Sequence, residues 1–181
     1  MSRPRRFRSM RFPRRPGQAA LLVALVLLLA AVHQWRPEPF ESSAPRPLEA
    51  GLHRVRRVID GDTFLLADAP ERIRLIGADT PETVKPNHTV EPWGPEAAQF
   101  TKDFLAAGEV RLEFDGPSRD KYGRILAYAW VGDRMLNEEL IRAGLASAEP
   151  WHPYSAAMKD RFRRAEGEAR AARRRIWSAE R

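Results

Sequence analysis

Alternation of apolar and polar residues dominates from His53 onward, interrupted by three stretches of helical period. His53 to Ile59 alternates roughly as a half-buried strand does, and Asp60-Gly61-Asp62 after it reads as a turn. Thr63 to Ala67 is a second strand candidate, Asp68-Ala69-Pro70 a tight connection, and Arg72 to Gly77 a third strand. Together they suggest an antiparallel meander. Between Gly94 and Ala107 the apolar residues Ala97, Phe100, Phe104 and Leu105 recur near helical spacing. Pro95 suits the first helical position and Gly108 the stop. Val110 to Phe114 alternates strictly and Ile125 to Val131 adds a fifth strand. Leu136 to Ala143 predicts a short helix ending at Gly144, and Tyr154 to Trp177 a long one rich in Ala, Arg and Glu. The expected fold is mainly β (α+β): a five-stranded Greek-key barrel of the OB type with about three helices, spanning residues 52–181.

A different texture precedes that domain. Residues 1–15 form a basic tail, and an uncharged run from Pro16 to Trp35 follows, with its apolar heart at Ala19 to Val32. A spanning helix wants about 20 apolar residues, which the whole run supplies; the heart alone has the length of a signal-peptide core. No clean small-x-small cleavage site follows, so an uncleaved hydrophobic helix is the expected reading, with a cleaved signal as its rival. Arginines before such a helix stay on the cytoplasmic side. The domain is then expected outside the cytoplasm, periplasmic or extracellular, on a single-pass membrane anchor, or secreted if the segment is cleaved. Residues 36–51 hold four prolines and no apolar periodicity, and read as an extended linker.

Charge has to be divided before it is interpreted. The chain of 181 residues carries a formal +7. Residues 1–36 contribute +8, residues 37–51 contribute −2, and residues 52–181 only +1. The basicity belongs to the tail, so it is no nucleic-acid signature for the domain. The chain has no cysteine, which excludes disulfides, thiolate metal sites and a cysteine nucleophile.

Four segments carry chemistry: Asp60-Gly61-Asp62-Thr63, Arg74 with Asp79-Thr80-Pro81-Glu82, Glu91 to Ala97, and Asp120-Lys121-Tyr122-Gly123-Arg124. Phosphodiester hydrolysis needs charge neutralised on the phosphoryl oxygens, an oriented water, and stabilisation of the charge that builds in the transition state. Hard divalent cations take oxygen ligands. Asp62 and Asp79 leave two strands expected to be neighbours, placed to share one cation. Glu82 follows closely enough to orient or deprotonate a water near it. Arg74 and Arg124 can fork onto phosphate oxygens. Each segment alone has a plainer reading as a turn, a cap or a solvated charge; their ordered combination favours a site. Asp60 either binds metal through water or shapes the turn. Trp93, Phe100, Phe104, Trp130 and Trp177 read as packing residues, and the arginines of the last helix as a solvated face.

In order and approximate spacing, these segments resemble the staphylococcal nuclease (thermonuclease) family. The resemblance runs from about Val55 to Ser178 and leaves out residues 1–50. It implies an OB-fold domain that cleaves DNA and RNA with Ca²⁺, leaving a 3′-phosphate. It further implies that Asp62 and Asp79 bind the cation through carboxylates and Thr80 through its carbonyl. Glu82 is implied as general base, and Arg74 and Arg124 as phosphate and transition-state contacts. Lys121 and Tyr122 are expected to position phosphate or pack beside it. Two departures stand out. The connection between Leu66 and Arg74 is short for the family, and the stretch after Ala148 reads Glu149-Pro150-Trp151-His152-Pro153-Tyr154, where tyrosines commonly flank the nucleotide. Trp151 or Tyr154 is expected to supply the stacking face. The rival reading is a catalytically weak or inactive OB module that binds nucleic acid or protein at a membrane. A monomer is expected in either case.

Overall fold

A computed structural model describes residues 48–83 and 89–178, together with Leu27 and Leu29. Leu27 and Leu29 are helical and exposed; the rest of the expected hydrophobic helix, the basic tail and most of the linker lie outside the described residues. Among the described residues no helix is long and apolar enough to cross a membrane.

The domain is built from β1 (Gly51–Asp60), β2 (Thr63–Leu66), β3 (Arg72–Leu75), β4 (Ala78–Asp79), α1 (Gly94–Phe104), β5 (Glu109–Glu113), β6 (Ile125–Val131), β7 (Arg134–Met135), α2 (Leu136–Arg142), β8 (Ser147–Ala148) and α3 (Ala156–Ala171). β1, β2 and β3 form the antiparallel meander; β5 pairs with β1 and with β6, also antiparallel. β3 and β6 close the ring in parallel, through Ile73↔Ile125, Arg74↔Leu126 and Leu75↔Ala127. The result is a closed five-strand barrel with three helices, the arrangement expected of an OB fold. A parallel pair cannot be joined by a hairpin, so the chain must travel between β3 and β6. α1 and β5 occupy that excursion.

Alternation puts Phe64, Ile73, Leu75, Val110, Leu112, Ala127 and Ala129 inside the barrel, all fully buried. Leu136, Leu140 and Ile141 of α2 and Phe162 and Ala165 of α3 extend the same core. Each large apolar side chain so buried contributes about 1.5–3 kcal/mol. One polar residue sits among them without cost. Asn137 is fully buried, yet its Oδ1 accepts from the Ala129 N–H (3.0 Å) and its Nδ2 donates to the carbonyls of Ile76 (2.9 Å) and Ala127 (3.2 Å). A satisfied amide of this kind pins α2 to the closing strands.

The boundaries differ from the sequence reading at informative places. The long helix does not run from Tyr154 to Trp177. It begins at Ala156, because Tyr154 turns into the core beside Tyr128 and Phe162. It ends at Ala171, where Arg173 and Arg175 take positive φ (51° and 45°) and the chain folds back. A 3₁₀ turn at Arg175–Trp177 then buries Trp177 beneath the Arg170 guanidinium, and the Ile176 N–H donates to the Gly144 carbonyl (3.1 Å). Burial of the indole outweighs continuation of an exposed helical turn. β4, β7 and β8 were not foreseen, since two residues show no period.

Candidate active site

The β1–β2 turn is the keystone of the site. Asp60 Oδ1 accepts from the Gly61 N–H (2.9 Å) and the Thr83 hydroxyl (2.7 Å), while Oδ2 accepts from the Thr83 N–H (3.3 Å). Its carboxylate therefore ties the turn to the loop after β4, which favours the turn-shaping alternative for Asp60. Gly61 leaves no room for a side chain: an added Cβ would lie 2.7 Å from Thr80 Oγ1 and 2.8 Å from Ala97 Cβ. Its carbonyl accepts from the buried Thr101 hydroxyl of α1 (2.5 Å). Helix, turn and loop are thus locked together around Asp62.

Asp62 is 4% exposed. Its Oδ1 accepts from the Thr63 hydroxyl (2.8 Å), and its Oδ2 from the Thr80 N–H (3.1 Å) and hydroxyl (3.0 Å). The same Oδ2 pairs with Nη1 of Arg74. Nη2 of Arg74 donates to Asp79 Oδ1 (2.5 Å) and lies 3.6 Å from Glu149 Oε2. One nearly buried guanidinium therefore holds Asp62, Asp79 and Glu149. Glu149 was missing from the sequence reading, and only tertiary structure brings it here. β4 pairs with β8 through Asp79↔Ser147, and the Glu149 N–H donates to the Gly77 carbonyl (3.0 Å).

Arg124 stands at the entry to β6 and donates from Nε to Asp120 Oδ2 (2.6 Å). Asp120 Oδ1 accepts from the N–H groups of Tyr122 (2.9 Å) and Arg124 (3.0 Å). Partial burial pushes the Asp120 carboxyl up, but the hydrogen bonds and charge of Arg124 outweigh it and hold it below the usual range. The exposed Tyr122 ring lies under both Lys121 Nζ (5.0 Å) and the Arg124 guanidinium (5.4 Å).

A cleft of about 590 Å³ joins these parts. Arg74, Asp79, Arg124, Lys121, Tyr122 and Trp151 line it, as do Glu149 and His152. Asp62 and Glu82 are not among its walls. Glu82 is half-buried in the neighbouring loop; its N–H donates to Glu91 Oε2 (3.0 Å) and its carbonyl accepts from the Glu91 N–H (3.0 Å). Residues 84–88 between them lie outside the described residues. Trp151 is 72% exposed, as a stacking ring must be. Tyr154 differs from expectation: it is 7% exposed, and its hydroxyl donates to the Glu149 carbonyl (3.0 Å). Burial, then the negative charge of Glu149, push this phenol up to about 12. Tyr154 supports the backbone that presents Glu149 and Trp151 and does not face the cleft.

Among the described residues no group of three or more His, Asp or Glu side chains forms a ready metal cage. The donor set is smaller and open. Two carboxylates, Asp62 and Asp79, approach a single cationic centre from two sides. Such a pair suits a hard divalent ion that completes its shell with carbonyls, waters and substrate oxygens.

A barrel rim with paired carboxylates, a guanidinium between them and a second guanidinium in the same cleft has the chemistry of a phosphate-ester hydrolase site. Residues 72–179 match the family model described as Staphylococcal nuclease homologue. The chain is 40% identical over 160 residues to a thermonuclease of Staphylococcus hyicus, covering 87% of this chain and 94% of that protein. It is 42% identical over 163 residues to a thermonuclease of Staphylococcus intermedius, covering 89% and 95%. It is also 40% identical over 125 residues to Endonuclease YncB of Bacillus subtilis, covering 67% and 59%. The chain belongs to the staphylococcal nuclease family.

Proposed function

We propose that this chain is a calcium-dependent nuclease that hydrolyses phosphodiester bonds of DNA, RNA or both. The observation that carries the reading is the shared cleft of Arg74 and Arg124, with Asp62 and Asp79 held on Arg74. Thermonuclease relatives that match nearly their whole length support the activity. Asp62, Asp79 and the Thr80 carbonyl would hold Ca²⁺, which when bound supplies positive charge against the scissile phosphate and lowers the cost of deprotonating a nearby water.

The protein's own groups do the rest. Arg74 exchanges a carboxylate partner for a phosphoryl oxygen, and Arg124 forks onto the same phosphate from Asp120. Both guanidiniums stabilise the charge that accumulates as the P–O bond breaks. Glu82 accepts the proton of the attacking water; the oxygen that leaves phosphorus acquires a proton from solvent. Lys121 and Tyr122 hold the strand at one side of the cleft, and the exposed Trp151 ring offers a stacking face at another.

The hydrophobic residues 16–35 support placement of the domain outside the cytoplasm, on a single-pass anchor or as a secreted form. Residues 36–51 then act as the linker, and the domain works as a monomer. The deciding experiment incubates the full-length chain with single-stranded DNA and with RNA, in calcium or in chelator. Cleavage in calcium alone is expected; an intact substrate in calcium would reject the reading.

A further inference from the structure

The outer face of the meander carries a row of arginines that the catalytic reading leaves unused. β1 contains a bulge between Val55 and Arg57, where its register against β2 shifts. Strand alternation would turn one of two consecutive residues inward; the bulge leaves both Arg56 and Arg57 exposed. Arg57 pairs across to Leu65, and Leu65 to Arg72. Arg72 directly precedes Ile73, whose parallel partner Ile125 directly follows Arg124. Arg57 and Arg72 therefore share one cross-strand row through Leu65 on the barrel's outer face, and Arg124 enters β6 at its inner end. Adjacent strands lie about 4.8 Å apart, so the row runs outward from the cleft for roughly 15 Å.

Arg124, at the inner end, is answered by Asp120, whereas the charges farther out are unanswered. Arg111, Arg119, Arg134, Arg142, Arg161 and Arg163 each meet a carboxylate. Among the described residues Arg56, Arg57 and Arg72 meet none. The acids beside them are engaged elsewhere: Glu71 with Arg119 (3.1 Å) and Asp68 with His53 (3.4 Å). A lone surface arginine is normally a solvated charge, but like charges gathered on one face of a sheet repel one another. That arrangement becomes favourable when a polyanion lies along it.

We propose that Arg57 and Arg72, with Arg56 beside them, form a second binding surface for a single nucleic-acid strand, continuous with the cleft at Arg124. The surface rests on the proposed function for the identity of its ligand. It binds phosphates without reading bases, since guanidiniums on an open sheet face contact only the backbone. It extends the grip on long strands beyond the nucleotides held in the cleft.

The test uses the full-length chain, Arg57→Gln/Arg72→Gln in that chain, and Arg164→Gln on the exposed face of α3 as the control. Binding of a long single-stranded oligonucleotide is measured in chelator by fluorescence anisotropy over a range of salt. The double variant is expected to bind about tenfold more weakly, with the log–log salt slope reduced by roughly 0.7 for each guanidinium lost. Calcium-supported cleavage of a dinucleotide and the melting temperature stay unchanged. Affinity and slope equal to those of the unaltered chain and the control would overturn the proposal. So would loss of binding to anionic phospholipid vesicles with strand affinity intact, which assigns the face to a membrane. Strand binding lost as expected in a protein that cleaves nothing would support this surface and reject the nuclease reading instead.

Discussion

Arg74 holds apart two carboxylates that would otherwise repel, and it does so on the spot where the proposed cation must sit. Substitution Arg74→Ala therefore has opposite effects with and without calcium. In chelator it leaves Asp62, 4% exposed, without its counter-charge. Breaking a buried pair from one side costs about 3–5 kcal/mol. Asp62 keeps its bonds from Thr63 and Thr80, which places the cost near the lower end, about 3 kcal/mol. In a domain of this size that lowers the melting temperature by roughly 10 °C. With calcium the cation no longer competes with a guanidinium for Asp62 and Asp79, so its affinity rises and most of the lost stability returns through ligand linkage. Turnover nonetheless falls by about 10²–10³, because the phosphoryl oxygens lose a donor. The assay is a calcium titration of melting temperature by calorimetry, run beside initial rates on single-stranded DNA. A calcium-induced rise in melting temperature smaller in the variant than in the unaltered chain would refute the competition, and unchanged turnover would refute the catalytic role.

Three further outcomes follow from neighbouring contacts. Thr101→Val removes the hydroxyl that bonds the Gly61 carbonyl, leaving a buried acceptor unpaired; a loss of about 1–3 kcal/mol is expected in denaturant unfolding, with weaker calcium binding, and an unchanged midpoint would show that α1 does not clamp the turn. Glu149→Gln takes a negative charge from beside Arg74 in the cleft, so KM for DNA should fall roughly threefold to tenfold while kcat changes less; a rise in KM would mean that Glu149 positions Arg74 productively. Glu138 lies between Arg142 and Arg161, and although burial pushes its carboxyl up, the hydrogen bonds from Arg161 and Arg142 hold it below its ordinary 4.5. Its folded value is the lower one, so its contribution is complete above about pH 4.5 and is lost as pH falls through the folded value. Glu138→Gln should therefore flatten the acid limb of stability against pH, and an equally steep limb would contradict the linkage.

Strands β1, β2, β3, β5 and β6 were legible because alternation, turn residues and length agree locally at each. Pro95 marked the start of α1 for the same reason. The candidate site was legible for another: Asp62, Arg74, Asp79, Glu82 and Arg124 lie in short segments whose order is distinctive even though each alone is ordinary. Asp60 shows the limit of such reading. Its sequence neighbourhood leaves ligand and turn roles equal, and its tie to Thr83, far along the chain, shows in the tertiary structure alone.

Local pattern by itself determined which residues face inward on each strand, where turns fall, and which side chains have the right chemistry for phosphate. Tertiary structure decided which of those side chains share a partner. Arg74 meets Glu149 because β8 pairs with β4, Tyr154 leaves the cleft because the core accepts its ring, and β3 is brought beside the entry to β6 because the barrel closes through a parallel pair. These are long-range contacts set by packing and strand register. A one-dimensional period carries the facing of a residue but not the identity of its neighbour across the sheet.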